Sequence, residues 1–460
     1  MTECEVIVVG AGIGGLTTAA LLAARGVDVC VFERQSQVGG CVANFEHLGY
    51  TFEPTCGVYS GWEADGTWER IFSQLPVPAP GVTKLSPNYV VRLPDGHDVQ
   101  VSPDHAALET EIASVFTDCA DACIRFLREI KSGAGASAPA ELLDGTSRQF
   151  RWFIDAQLQT FTQCTSNGCS LPRASAALRL ATGDLWSIDG AAQTLGDRLS
   201  ESLKASGGSL RVNSPVLRLA YGTDGKPVGV DLLSGERVIA KHAIISNLTI
   251  WDTYGKLVGP SRTPRDIAGE LKKLTAWGAY LIFLAIEEGA IEKLPASRTL
   301  LLFDLESEEY DPENQQLMLS LASGLTTGAP EGKRALTAMA FTQADEWFSF
   351  HEDHSWHEEK DQALLESWWT KLHQGLPQLG DSIEVIETST PQTVYETTRR
   401  RLGMIGAPSA IDRRATLVLP FPNLFLVGDT ASASPGLEGV AVSALNLADH
   451  LAPGTNPMRT

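Results

Sequence analysis

Apolar and polar positions change period several times along the chain, and the first change comes close to its start. Glu5–Val9 is an almost unbroken apolar run of strand length. Gly10–Gly15 interrupts it, Leu16–Ala24 is an Ala/Leu-rich helix, and Val27–Phe32 is a second apolar strand. Strands that are apolar throughout, rather than alternating, belong to parallel sheets covered on both faces, so this opening predicts a βαβ unit. Phe45–Phe52 reads as a hairpin, and Tyr89–Val101 as two strands joined at Pro94-Asp95-Gly96. Residues 104–205 read mainly as helix, with Phe150, Phe153, Ile154, Leu158 and Phe161 recurring at helical spacing. Strands return from Leu210 to Ile245, with a turn at Thr223–Lys226. Residues 264–400 mix strand and helix, including a helix over Trp356–His373. The last elements are a strand at Leu424–Val427 and a helix at Glu438–Leu451. The longest apolar run, Ala276–Ile286, is too short to span a bilayer and reads as a buried strand.

No repeat or low-complexity linker divides the chain, so an interleaved organisation is expected. Segments 1–80, 186–260 and 402–460 assemble a discontinuous Rossmann-like domain, and 81–185 with 261–401 form an inserted α+β domain. The fold class is α/β. Composition then excludes other classes. With 460 residues, 43% hydrophobic and 20% charged, the chain is an ordinary globular protein of two or three domains. Its formal charge of −20 repels phosphate backbones, so nucleic acid is not an expected partner. The eight cysteines include no CxxC pair, and Met1–Glu5 has no basic export segment. Reduced thiols and a cytoplasmic location are therefore expected.

The chemistry starts at Gly10-Ala11-Gly12-Ile13-Gly14-Gly15, which contains GxGxxG at Gly10, Gly12 and Gly15. The first glycine makes the tight turn, the second lets backbone approach a pyrophosphate, and the third lets helix pack on strand. The helix that follows offers free N–H groups to an anion. Glu33, at the end of the next strand, suits an adenosine ribose and disfavours a 2′-phosphate. Gly39-Gly40 lets a loop pass close to the dinucleotide. Near the C-terminus, Asn423–Gly428 is an apolar strand ending at Asp429, and Pro435–Val440 is a glycine-rich turn into the last helix. Asp429 can hold ribityl hydroxyls there. The start of that helix, at Gly439 and Val440, is expected to face the N1/O2 side of a reduced flavin.

On these residues the chain resembles the phytoene desaturase and carotenoid isomerase group, which belongs with the flavin amine oxidases. Gly10–Gly40 and Asn423–Asp449 look like the two ends of that group's FAD-binding domain. Leu210–Val216 matches its adenine-contacting strand, and Thr390-Pro391-Gln392-Thr393-Val394-Tyr395 matches its T-P-x-T segment. The resemblance implies non-covalently bound FAD held by Gly10, Gly12, Gly14, Gly15, Glu33, Arg34, Gly39, Gly40, Cys41, Val216, Gly428, Asp429, Gly439 and Val440. Position 41 departs from the group, which often has Arg there. The implied activity is desaturation, isomerisation or saturation of carbon–carbon bonds in an apolar, isoprenoid or polyene substrate. Such a substrate is drawn from a membrane by peripheral contact.

No catalytic acid or base stands out by spacing. His351, His354 and His357 among acidic residues read as a solvated helix start, and Cys119 and Cys123 as buried thiols, so no metal is assigned. Trp62, Trp68, Trp152, Trp251 and Trp277 belong to segments expected to flank an apolar cleft. Two alternatives remain. One is a flavin amine oxidase acting on a small amine. The other is a non-catalytic prenyl carrier of the same fold, against which the intact glycines, Glu33 and Asp429 argue.

Overall fold

The computed structural model describes residues 2–453 apart from 134–137, 275–276, 305–308, 323–327, 349–353, 407–418 and 433. Two seven-stranded sheets organise these residues. The first takes its strands from distant parts of the chain, in the order 216–221, 227–232, 237–246, 2–9, 29–32 and 209–211. The strand Leu424–Leu426 pairs with the end of Arg237–Ser246. Thr2–Val9 pairs in parallel with both Val29–Phe32 and Arg237–Ser246. It is buried on both faces, which explains its unbroken apolar run.

Three helices cover one face of this sheet: Ile13–Ala24, Ala191–Ala205 and Gly436–Leu451. Leu16, Leu21, Leu195, Leu199, Val440 and Ala444 form one core there with Val6, Val8, Val29 and Val31. On the other face, Ile7, Val9, Phe32 and Ile244 pack against Trp251, Tyr254 and Leu257.

The second sheet runs 383–389, 277–287, 333–343, 316–321, 298–302, 89–92 and 98–101. It is antiparallel except between Arg298–Leu302 and Tyr89–Arg92. Its central strand, Trp277–Glu287, is the expected apolar run. Tyr280, Ile282, Leu284 and Ile286 face the helix His354–Gly375 through Trp368 and Leu372. Ala279, Leu281, Phe283 and Ala285 face the hairpin formed by Phe45–His47 and Tyr50–Phe52. A period-two strand buried on both sides reads as continuous hydrophobicity, so the sequence could not separate its faces. The helices Ala120–Ser132, Arg148–Thr162 and Leu171–Ala181 form a further core against Val91, Val99 and Leu300.

The tryptophans do not share one wall. Trp68 is buried in the core of the first sheet's helical face, Trp152 among the helices beside the second sheet, and Trp251 on the first sheet's opposite face. Only Trp277 borders the hairpin face. Trp68, Trp152 and Trp251 each fill a local core, where a large flat side chain contributes most, while Trp62 and Trp277 are partly buried beside two separate cores.

Thr390-Pro391-Gln392-Thr393 has a local explanation. Thr390 caps the helix Pro391–Thr398 by accepting from Thr393 N, and Thr393 Oγ1 accepts in return from Thr390 N, both at 3.3 Å. Pro391 then sits between two glycines. A Cβ on Gly278 would lie 2.6 Å from Pro391 Cγ, and one on Gly403 would collide with the Pro391 carbonyl. Gly403 also has φ +59, a conformation that disfavours any side chain. Gly207 shares a positive φ, but nothing lies within 4 Å of its Cβ position. Gly207→Ala should lower stability by about 1–2 kcal/mol. Gly403→Ala should lower it by about 3 kcal/mol or more, since it adds a collision to the strain. Denaturant unfolding of both variants checks this, and equal losses would show that Pro391 is loosely seated.

Candidate functional site

The register of the parallel strands brings four segments to one edge of the first sheet. Val9 lies beside Phe32 and Ser246, and Ser246 beside Leu426. The residues that follow therefore converge: Gly10 with its glycine turn, Glu33, Asn247, and Gly428-Asp429. Open α/β sheets hold ligands at this edge, outside the carboxyl ends of their strands.

The turn is pressed against its neighbours. A Cβ on Gly12 would lie 2.6 Å from Asn247 Nδ2. One on Gly14 would lie 2.9 Å from Asn247 Oδ1 and 3.1 Å from Gly428 Cα, and one on Gly15 would collide with the carbonyl of Gly10. Asn247 is a site residue that sequence reasoning missed. Its N–H donates to Val9 O at 2.9 Å, which places its amide under the turn. The only signal it carries in the sequence is its place directly after a long buried strand.

The helix Ile13–Ala24 has no side-chain cap and no acid in its first turn. Its first N–H groups have no intrahelical acceptor and carry the positive end of the helix dipole. Backbone donors in a cradle without side-chain bulk fit the phosphates of a dinucleotide. Glu33 is buried, and its two carboxylate oxygens accept from Ala11 N and Gln35 N at 2.8 Å each. Lone pairs remain on both oxygens for a hydroxyl donor.

The glycine pair laps over the turn. Gly39 donates to Ala11 O at 2.9 Å, and a Cβ on Gly40 would lie 3.2 Å from Gly12 Cα. Arg34 Nη1 donates to Thr397 O at 2.7 Å, tying the end of the second strand to the helix Pro391–Thr398.

Two expected elements differ. Leu210–Val216 is not one strand: Ser209–Arg211 ends, Asn213 turns at φ +50, and half-buried Val216 opens an antiparallel strand opposite Leu232. Pro215, which has no N–H to continue a ladder, stands between the two. The segment still flanks Glu33, whose N–H donates to Arg211 O at 2.9 Å while its carbonyl accepts from Ser214 N at 2.8 Å. The last helix starts at Gly436, two residues earlier than expected. Gly439 and Val440 are thus its fourth and fifth residues, one turn in from Gly436, whose φ of +72 opens the helix. Gly439 also has a packing reason: a Cβ there would collide with the Ser434 carbonyl.

Gly428 has φ +119 and delivers Asp429 to the edge. Asp429 accepts from Thr430 N at 2.8 Å and is ion-paired with Arg400, at 2.5 Å from Nη2 to Oδ2. Arg400 was not expected in the site. Its Nε donates to Met404 O and its Nη2 to Gly406 O. Burial opposes its charge, but Asp429, Cys41 and Asp252 outweigh burial and raise its pKa. Cys41 lies near the same guanidinium. Its side chain is exposed to solvent. Desolvation by nearby protein pushes its thiol up, although Arg400 pulls it down.

The stretch Met404–Gly406 leads from this charged corner to the hairpin face of the second sheet. Met404 bridges to Gly278, and Ile405 N donates to Trp277 O at 2.8 Å. Ile405, Trp277, Phe45 and Cys56 are partly buried beside Leu281, Phe283, Met339 and Phe341, which makes an apolar wall. Burial pushes the Cys56 thiol up as well. Behind the wall, fully buried Arg298 donates from Nε to Gly57 O at 2.9 Å. Buried Glu53 accepts from Tyr59 OH and from Ala192 N. These residues hold the strand-free segment Glu53–Tyr59 between the two sheets, and no spacing in the sequence marked them. Among the described residues no group of three or more His, Cys, Asp or Glu could hold a metal ion, and His351 lies outside them.

Residues 8–75 match the NAD(P)-binding Rossmann-like domain family. Prolycopene isomerase from Daucus carota is 26% identical, covering 98% of this chain and 80% of that protein. A zeta-carotene-forming phytoene desaturase from Myxococcus xanthus is also 26% identical, covering 97% and 93%. In three dimensions, a putrescine oxidase variant superposes with a TM-score of 0.65 at 15% identity, covering 98% of both chains. Over nearly its whole length the chain is similar in sequence to prolycopene isomerase and phytoene desaturase, on a mixed α/β fold with a Rossmann-like domain whose overall architecture is like that of the putrescine oxidase.

Proposed function

We propose that this chain is an FAD-dependent oxidoreductase that desaturates, isomerises or saturates carbon–carbon bonds of an apolar, isoprenoid or polyene substrate. One observation carries the reading: a glycine cradle suited to a dinucleotide and an apolar sheet face are joined by one short stretch, Arg400–Gly406. Segments 1–80, 186–260 and 402–460 would carry the cofactor, and 81–185 with 261–401 the substrate. The turn Gly10–Gly15 would hold the pyrophosphate, Glu33 the adenosine ribose, and Asp429 the ribityl chain. Bound there, FAD supplies a two-electron donor and acceptor next to the substrate. The partly buried side chains of Ile405, Trp277, Phe45 and Cys56, backed by buried Leu281, Phe283 and Phe341, would exclude water and align a long chain, each buried CH₂ contributing about 0.8 kcal/mol.

The relatives named for prolycopene and phytoene chemistry favour this substrate class. The likeness to an amine oxidase is one of fold. An ammonium against this wall would need a partner or deprotonation. Among the described residues no helix is long and apolar enough to cross a membrane. Substrate would arrive by peripheral contact through exposed leucines such as Leu48, Leu217 and Leu233; the −20 surface offers anionic lipid no attraction for salt to screen, so the contact depends on apolar burial and should be nearly insensitive to salt.

Three outcomes test the proposal. Cys41 and Cys56 have thiols held above their ordinary range, so little thiolate is present at neutral pH and neither is poised to bond a flavin. Acid precipitation should release all the yellow colour, and colour kept in the pellet would refute non-covalent binding. Glu33→Gln should weaken FAD by about tenfold to a hundredfold in equilibrium dialysis, the loss of one charged hydrogen bond. Without oxygen, liposomal polyene should be isomerised or should bleach the flavin, whereas primary and secondary amines should leave it oxidised. The reverse pattern would establish an amine oxidase instead.

A further inference from the structure

We propose that Arg400 is a cofactor-binding residue, whose guanidinium supplies the positive charge that the dinucleotide phosphates meet at the glycine turn. The inference rests on the FAD reading above and adds to it a residue that neither glycine segment contains.

The placement is geometric. Cys41 directly follows Gly40, which touches Gly12 of the turn, and Asp429 directly follows Gly428, which touches Gly14. The guanidinium of Arg400 is ion-paired with Asp429 and is near enough to Cys41 to pull its thiol down. It is therefore held at the corner where Gly40-Cys41 and Gly428-Asp429 reach the glycine turn. The start of the helix Ile13–Ala24 supplies backbone donors but no side-chain charge in its first turn, while a pyrophosphate brings two negative charges. Asp429 would add a third at the same corner, and Arg400 neutralises it.

Arg400 is held for this task. The helix Pro391–Thr398 ends at Arg399 with φ +56, and the chain turns inward at Arg400. Nε is committed to Met404 O, and Nη2 to Gly406 O and Asp429 Oδ2. Nη1 reaches Asp429 Oδ1 only at 3.4 Å, beyond a good hydrogen bond. Nη1 is thus the edge left to donate toward an anion. The same side chain anchors Met404–Gly406, so occupation of the phosphate site and the position of Ile405 in the apolar wall are mechanically linked.

The test uses apoprotein of the full chain titrated with FAD, followed by quenching of flavin fluorescence, and with ADP, followed by calorimetry. Arg400→Gln should weaken both ligands by about tenfold to a hundredfold and flatten the dependence of their affinity on salt. Arg400→Lys should keep most of the affinity and the wild-type salt dependence. Cys41→Arg placed in the Arg400→Gln background should restore much of the loss, because position 41 adjoins the vacated guanidinium. Unchanged FAD affinity in a folded Arg400→Gln protein would overturn the proposal. So would loss of FAD affinity with ADP untouched, or a Lys variant as weak as the Gln variant, since either makes Arg400 only a brace for Asp429 and Met404–Gly406. If Arg400→Gln does not fold, the Lys variant and the salt dependence decide. A wild-type chain that binds no FAD would instead remove the parent reading.

Discussion

No side chain can be added to the glycine turn where the carboxyl ends of the parallel strands converge, and the rest of the site follows from that exclusion. Gly12, Gly14 and Gly15 keep the turn clear, while the amide of Asn247 fills the ground beneath it. Any side chain at these positions would push apart the strand ends at Val9, Ser246 and Leu426, whose alignment brings Glu33 and Asp429 to the same edge. The close approach removes the bulk that would block an anion and leaves the backbone donors facing outward. A site made this way is as rigid as the sheet itself, because it consists of strand ends and not of long side chains.

The parts legible in the sequence were those with short-range causes. The glycine turn, Glu33, the glycine pair, the hairpin at Phe45–Phe52 and the final strand and helix depend on neighbours within a few residues. Fold class followed from the same patterns. The parts that stayed hidden depend on distant partners. Asn247 matters because Arg237–Ser246 runs beside Thr2–Val9, and Arg400 because a left-handed residue at 399 turns it toward Cys41 and Asp429. The tryptophans were uninformative for the converse reason: composition shows that large rings exist but not which core encloses each. Pro391 was noticed as part of a recurring segment, yet its seat between Gly278 and Gly403 joins residues more than a hundred positions apart.

Charge in the site is arranged against the charge of the whole chain. A surface at −20 disfavours an anionic cofactor at long range, and two carboxylates, Glu33 and Asp429, lie at the edge where phosphates would sit. Both are restrained locally. Glu33 faces two backbone N–H donors and Asp429 a buried guanidinium. At the short distances inside a cleft these partners outweigh the remote field, which salt screens within about 10 Å. The apolar wall carries no comparable charges, so chemistry there is governed by exclusion of water and by fit.

The order in which the first sheet is built has a consequence for its biogenesis. Its central strands come from residues 2–9, 29–32 and 237–246, but the edge beside Ser246 is closed only by Leu424–Leu426. During synthesis the nascent chain must emerge almost to its end before that pairing can form. Until then the upper half of a long buried strand presents an open edge of apolar residues, Ile244 and Ile245 among them. Closing loops this long is slow, and unpaired strand edges invite association with other chains in the interval. The inserted antiparallel sheet can pair largely within itself and so fold earlier. The interval between the two events leaves that edge open late in translation, and Gly428-Asp429, which directly follows the closing strand, reaches its place at the sheet edge among the last steps of folding.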